Sequence, residues 1–213
     1  MLRDIIKNRY SARIFLDQEI EQDKINYILD CAIHAPSKQC HYPYYISVLK
    51  DSEKSKNIKE WLYWQNTWCV DKIRANPTEI NSQRKRFNGQ YKAPLVLVWS
   101  RDKEFDKDNA LADIMVSASF AMLAAEEQGL ATCFGRCHDD KQLSIKLETQ
   151  HPSKIALGIG YAETNDLADE LWFPVIKDKK VQGFEHENVS QNYPLEKHLS
   201  RQQKSSKETI RFI

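Results

Sequence analysis

No stretch of this 213-residue chain approaches the ~18 consecutive apolar residues that suggest a membrane-spanning helix. Its opening residues, Met1-Leu2-Arg3-Asp4-Ile5-Ile6-Lys7, lack the apolar core of a signal peptide. An excess of charge of one sign is missing too: 31 Lys and Arg stand against 30 Asp and Glu, a formal net charge of +1. Such a balance gives no reason to expect general attraction to nucleic acid or membrane, so any basic site must be local. The five cysteines (Cys31, Cys40, Cys69, Cys133 and Cys137) are odd in number and irregularly spaced, which argues against a disulfide framework. Repeats and low-complexity segments are absent. No Gly-x-Gly-x-x-Gly follows the first expected strand, so a Rossmann dinucleotide site has no support. A cytoplasmic protein that binds neither nucleic acid nor membrane is expected.

What is present is ordinary for a globular protein: 41% hydrophobic and 29% charged residues, in a length that suits one domain over 1–213. Ile25, Ile28, Leu29, Ala32 and Ile33 follow helical spacing and predict a helix over 23–34, ending before Pro36. A short strand is expected at 45–49, and a helix crowded with Trp61, Tyr63, Trp64 and Trp68 over 52–68. Residues 73–90, with Arg84-Lys85-Arg86 at their centre, read as an irregular basic excursion. The apolar run 95–99 after Pro94 suits a strand covered on both faces. The longest helix is expected over 109–128, closed by Gly129. It carries one apolar stripe at Leu111, Ile114, Met115, Ala118, Met122 and Ala125, and another at Val116, Phe120, Leu123 and Ala124. A helix apolar on two sides must be buried on two sides, centrally or against another subunit. Strands at 131–134 and 155–161 and a helix at 141–147 complete an α+β or α/β pattern. The tail from 182 onward is polar and helix-poor, and is expected to wrap over something rather than form a core.

Three segments carry candidate chemistry. In Asn8-Arg9-Tyr10-Ser11-Ala12-Arg13-Ile14-Phe15, an extended backbone would project Arg9, Ser11 and Arg13 to one side. Two guanidinium groups and a hydroxyl grip a phosphate well. The same residues also make a solvated charged turn between helices. In Ala35-Pro36-Ser37-Lys38-Gln39-Cys40-His41-Tyr42-Pro43-Tyr44, two prolines stiffen a polar loop of the kind that lines ligand sites, or that merely ends a helix and turns. In Gln128-Gly129-Leu130-Ala131-Thr132-Cys133-Phe134-Gly135, the second glycine permits a flat ligand close to backbone amides. Cys133 and Cys137-His138 lack a second ligand pair of suitable spacing, so no metal is expected. Cys40 and His41, adjacent on an extended chain, point apart, and the Arg84–Arg86 run is a solvated face or an attractor for a nicotinamide phosphate.

Arg-x-Ser-x-Arg-x-Phe near the start, Ala-Pro-Ser with a proline six residues past the serine, and Ala-Ala-x-x-x-Gly-Leu-x-Thr-Cys-x-Gly together resemble the nitroreductase family, as does the late Gly158-Ile159-Gly160-Tyr161. The resemblance runs from Ile5 to about Ile210. It implies an α+β fold with a central mixed or antiparallel sheet flanked by helices, and a homodimer that holds FMN at its interface. A C-terminal extension would wrap the partner subunit. By this resemblance Arg9 and Ser11, with Tyr10 between them, grip the flavin phosphate, and Arg13 lies at the pyrimidine edge. Two-electron reduction leaves negative charge around the flavin N1 and O2, which a fixed cation there stabilises. Pro36, Ser37 and Cys40 would meet the ring from the partner subunit, the strand at Gly135 would offer backbone groups near N5 and O4, and Lys204 or Lys207 would complete the phosphate site. The departures are Cys40 and Tyr42, where the family commonly has Asn and Gln that contact the flavin or order its loop, and Tyr44 in place of a frequent Trp.

The implied activity passes a hydride from NADH or NADPH through flavin N5 to a small planar electron acceptor, a nitroaromatic or quinone. No side-chain general acid is demanded; the protein's task is positioning, exclusion of water and tuning of flavin charge. Two other expectations stand beside it. One is a specialised relative, a heterocycle dehydrogenase or dehalogenase, for which the altered loop would be suited. The other is a dimer without flavin that serves as a structural module.

Overall fold

The computed structural model describes residues 2–12, 14–65, 89–137, 140–162 and 210–213. In chain order they form α1 (Leu2–Asn8), α2 (Gln22–Ile33), β1 (Tyr44–Leu49), α3 (Glu53–Gln65), β2 (Leu95–Arg101), α4 (Lys107–Glu127), β3 (Ala131–Arg136), α5 (Asp140–Lys146), β4 (Ser153–Gly160) and β5 (Ile210–Phe212). Single helical turns at Lys38–Cys40 and Gly89–Lys92 punctuate the connections.

The sheet runs in the order β3-β4-β2-β1-β5, with its first four strands antiparallel. The central strand alternates between two cores. Leu95, Leu97 and Trp99 of β2 face the side packed by α2 and α4. Val96 and Val98 face the side where α3, α5 and the Gly89–Lys92 turn lie, with Ile58, Leu62, Leu143, Leu147 and Tyr91. The uninterrupted apolar run at 95–99 is therefore a strand covered on both faces, as its composition predicts.

Local chemistry sets the helix ends. α4 begins at Lys107, earlier than its apolar spacing indicates, because the Asp106 side chain accepts from the Asn109 N–H at 2.9 Å. It closes on Gly129 at φ 76°, where the Gly129 N–H reaches Glu126 O at 3.1 Å and the Leu130 N–H reaches Ala125 O at 3.0 Å. That pair of bonds is a Schellman cap, and the left-handed φ is why glycine stands there. By length and mean hydropathy (1.2), α4 is the one described helix apolar enough to cross a membrane. It packs instead on α2 and the sheet, and its mid-helix Asp113 and Ser117 are buried.

Several expectations change. Only one face of α4 is buried in the chain, along Ala110, Ile114, Ala118, Ala121 and Ala125, while Leu111, Met115 and Phe120 stay 36%, 38% and 42% exposed. The residues 89–90, read as the end of an irregular excursion, form a turn buried in the second core. Residues 66–88, including Trp68 and the Arg84–Arg86 run, lie outside the described residues. So do residues 163–209, where the extension over a partner is expected. The chain's last strand, β5, pairs in parallel with β1, through Ile46 and Ile210. Neither β5 nor α1 is marked by apolar periodicity, since each is too short to show any.

Gly158 is where the Gly89–Lys92 turn crosses the sheet. A Cβ built there would lie 2.1 Å from Gln90 O, a backbone atom that cannot move alone. Gly158→Ala is expected to cost about 1–3 kcal/mol of stability by overpacking, read as a lower urea midpoint with an unchanged slope.

Candidate functional site

The N-terminal arm is built by the end of α1 and the open edge of β3. The Arg9 N–H still bonds Ile5 O at 3.0 Å, and then the chain extends. Ser11 makes a parallel bridge to Thr132, and the Ala12 N–H donates to Thr132 O at 2.9 Å. Ala12 is fully buried, so the arm is held to the sheet between Arg9 and Ile14. Arg9, Tyr10 and Ser11 are each partly buried. Arg13, and Lys204 and Lys207, lie outside the described residues.

Beside the arm stands Glu126, in the last turn of α4, which sequence reasoning passed over. Its Oε1 accepts from Thr132 Oγ1 at 2.8 Å. Burial raises its carboxyl above the ordinary range, opposed by the Thr132 hydrogen bond and by the positive charge of Arg9. The Tyr10 phenol is also raised, first by burial and then by the charge of Glu126. Arg9, Tyr10, Ser11, Glu126 and Thr132 thus form one cluster at the β3 edge.

The loop after α2 is organised by a different part of α4. Ser37 Oγ donates to Asp113 Oδ2 at 2.7 Å and accepts from the Tyr42 N–H at 2.8 Å. The Lys38 N–H donates to Asp113 Oδ1 at 3.1 Å, and Lys38 Nζ reaches Asn109 Oδ1 at 2.9 Å. The Ser37 proton is therefore committed to the loop itself. Pro36 is exposed, as is Cys40. Gln39, Cys40 and Tyr42 all hold left-handed φ, at 53°, 57° and 47°. Asn tolerates that conformation better than most side chains, so Cys40 stands at a position where the backbone itself favours Asn.

A third piece is the Gly89–Lys92 turn. Lys59 Nζ donates to the carbonyls of Ala93 and Pro94 at 3.1 and 3.0 Å and pins the turn to α3. Gln90 is buried, and its Oε1 has no hydrogen-bond partner among the described residues. A Cβ on Gly135 would meet Tyr91 Oη at 2.4 Å and Gln90 Nε2 at 3.1 Å. Gly135 leaves room for Tyr91 and Gln90 on that face of β3. By strand alternation, Thr132 O faces the open edge of β3, so the polar groups of Phe134 share that edge while those of Gly135 turn to β4. Sequence reasoning missed Gln90 because a lone amide at the end of an irregular stretch carries no pattern.

The pieces are not all gathered within one chain. The arm and the β3 strand meet, but Asp113 and Glu126 stand thirteen residues apart on α4, about 20 Å at 1.5 Å per residue. Pro36, Ser37 and Cys40 accordingly lie far from the Arg9 cluster. Among the described residues no group of His, Cys, Asp and Glu side chains is placed to hold a metal; His138 lies outside them.

An α+β sheet with an arginine-bearing arm on its edge and a proline-bracketed loop clamped to its central helix defines the class to which the comparisons point. A model described as the Nitroreductase family matches residues 6–161, and the chain belongs to that family. An FMN-dependent nitroreductase of Clostridium difficile R20291 is 25% identical, over 76% of this chain and 88% of that one, with a TM-score of 0.59. The FMN and NADPH-dependent nitroreductase NfnB of Sphigopyxis sp. strain HMH is 18% identical over 86% of this chain and all (100%) of that one, with a TM-score of 0.65. The FMN-dependent nitroreductase NfnB of Mycobacterium smegmatis, in complex with NADPH, is 18% identical over 76% and 87%, with a TM-score of 0.60. No curated protein matches the chain.

Two outcomes check the loop. Asp113→Ala strands the Ser37 hydroxyl and the Lys38 N–H, and is expected to cost about 1–3 kcal/mol while speeding hydrogen exchange at Lys38 and Tyr42. Cys40→Asn relieves a left-handed position and is expected to gain up to about 1 kcal/mol, measured by the same unfolding assay.

Proposed function

We propose that this chain is an FMN-dependent oxidoreductase that works as a homodimer, taking reducing equivalents from NADH or NADPH and delivering them to a small planar acceptor such as a nitroaromatic or quinone. The observation that carries this reading is the arm bridged to β3, which sets Ser11 on a sheet edge two residues past Arg9 in a member of the nitroreductase family. Arg9 and Ser11 hold the phosphate, the guanidinium supplying charged donors and the hydroxyl a neutral one. One of Lys204 or Lys207 completes that grip, and Arg13 sets a positive charge at the pyrimidine edge of the flavin. The orphaned Gln90 Oε1, buried beside Gly135, fits a ligand that brings a ring N–H, and the open edge at Phe134 adds backbone groups. Bound FMN supplies the redox chemistry at its N5. The chain's residues anchor it, orient its ring and exclude water.

The homodimer has two supports. The loop at Pro36, Ser37 and Cys40 lies about 20 Å along α4 from the arm, so one flavin meets both only if the loop comes from a second copy. Leu111, Met115 and Phe120 of α4, and Leu2 and Ile6 of α1 at 60% and 53% exposure, leave an apolar surface for that copy. A single domain over 1–213 in a cytoplasmic setting agrees with the free thiols of Cys31 and Cys40. The left-handed loop at Gln39–Tyr42 favours a second reading, a flavin enzyme specialised for heterocycle dehydrogenation or dehalogenation.

The absorption spectrum of protein purified without added flavin tests the proposal. Flavin bands with FMN released stoichiometrically support it; a colourless protein that takes up no added FMN overturns it. Nitroaromatic turnover no faster than that of free FMN moves the assignment to the specialised reading. Arg9→Ala is expected to raise the FMN dissociation constant at least about tenfold, as the loss of a hydrogen bond to a charged group implies.

A further inference from the structure

A half-open cavity of about 390 Å³ lies where three segments meet: the stretch that follows the N-terminal arm, α3, and the connection that leads into β2. Its volume is in the range of small-molecule sites. Part of its lining is apolar. Phe15 and Pro94 pack where Gly160 of β4 has no side chain: a Cβ there would lie 2.7 Å from Pro94 Cδ and 3.0 Å from Phe15 Cδ1. Leu16, also in the lining, is fixed by its N–H, which donates to Tyr161 O at 2.8 Å. None of the lining residues belongs to the Arg9 cluster or to the Pro36–Tyr42 loop.

Three lysines and three acids also line the cavity, and most of them are already paired. Lys50, just outside, holds Glu19 at 3.2 Å and Asp51 at 3.5 Å, and Lys92 is paired with Glu60 of α3. Lys56 and Lys59 remain, three residues apart and therefore on one face of α3. Lys59 is half-buried, and its ammonium donates to two neutral carbonyls, of Ala93 and Pro94, at 3.1 and 3.0 Å. Among the described residues it has no carboxylate within ion-pair distance, which leaves its third N–H and its charge without a counter-ion. Lys56, one turn earlier and exposed, has no side-chain partner among them. Nor has Asp17, the exposed acid of the lining. A desolvated ammonium gains most from an anion that reaches it, and the adjacent Lys56 adds to that attraction. We propose that this cavity binds a small carboxylate with an apolar body, its carboxylate on Lys59 and Lys56 and its hydrocarbon part against Phe15, Leu16 and Pro94. Asp17 at the same rim repels a doubly charged group, so the site selects a monoanion over a phosphate. The site is independent of the flavin reading.

The probe is benzoate, titrated into the full chain as purified and followed by amide chemical shifts. Saturable shifts at Leu16, Lys59 and Lys92 are expected, with slower hydrogen exchange at Leu16, because the ligand ties the segment after the arm to α3. Lys59→Gln keeps a donor for the two carbonyls and removes the charge. It should weaken benzoate binding at least about tenfold, as the loss of a hydrogen bond to a charged group implies. Lys56→Glu, at an exposed position, should weaken it about fivefold or more, since an attraction of the size of a surface ion pair becomes a repulsion. Absence of saturable shifts at these residues overturns the proposal, and so does an affinity that either variant leaves unchanged. If Lys59→Gln fails to fold, Lys56→Glu decides alone by the same criterion. Two comparators fix the ligand class. Benzylamine carries the ring with the opposite charge, and inorganic phosphate carries the charge without the ring. Weaker binding of both supports the assignment; either one binding at these residues as tightly as benzoate overturns it.

Discussion

One turn of α4, from Asp113 to Ser117, joins the parts on which the rest of the molecule depends. The two polar residues are four apart and therefore share a helix face. Ser117 Oγ donates to the Ala32 carbonyl at the end of α2 at 2.8 Å and accepts from Trp99 Nε1 of β2 at 2.9 Å. Tyr44 of β1 donates to the same Ala32 carbonyl at 3.3 Å, and burial first of all pushes its phenol to about 12. One orphan carbonyl of α2 is thereby satisfied by groups from α4 and β1. Asp113, a turn earlier, takes hold of Ser37 and Lys38. Buried polar groups are costly when unpaired, so this turn specifies one docking of α2, its loop and the sheet.

The two ends of α4 then have different tasks. Its first half holds the Pro36–Tyr42 loop and its last turn presents Glu126 to the arm. The helix is long enough to keep them about 20 Å apart. The polar clamp and the exposed Leu111, Met115 and Phe120 belong to one helix, so packing within the chain and the apolar surface left outside it share a single element.

The second face of the sheet is governed by close approach rather than by hydrogen bonds. Gly135 and Gly158 leave room for Tyr91 and for the Gln90 backbone, and Lys59 caps the carbonyls that follow. Half-buried Lys59 is shifted below the ordinary ammonium range, chiefly by desolvation, although two carbonyls accept from it. The turn positions Gln90 beside β3, and a residue with no motif around it becomes a candidate for ligand contact.

Much of this was legible in the residues themselves. Periodicity marked α2, α4 and the strands to within a few residues, because burying one face requires it. Gly129 and Pro36 marked helix ends through φ preferences that act locally. The Arg9, Ser11 and Arg13 spacing marked the arm as a phosphate candidate. The sequence could not assign the true neighbour of Gly135, the commitment of the Ser37 hydroxyl to Asp113, or the presence of Glu126 beside Arg9. Those depend on which chain segments lie side by side at separations of tens to more than a hundred residues. Local propensity carries no record of such pairings; only the packing of two cores around one sheet decides them.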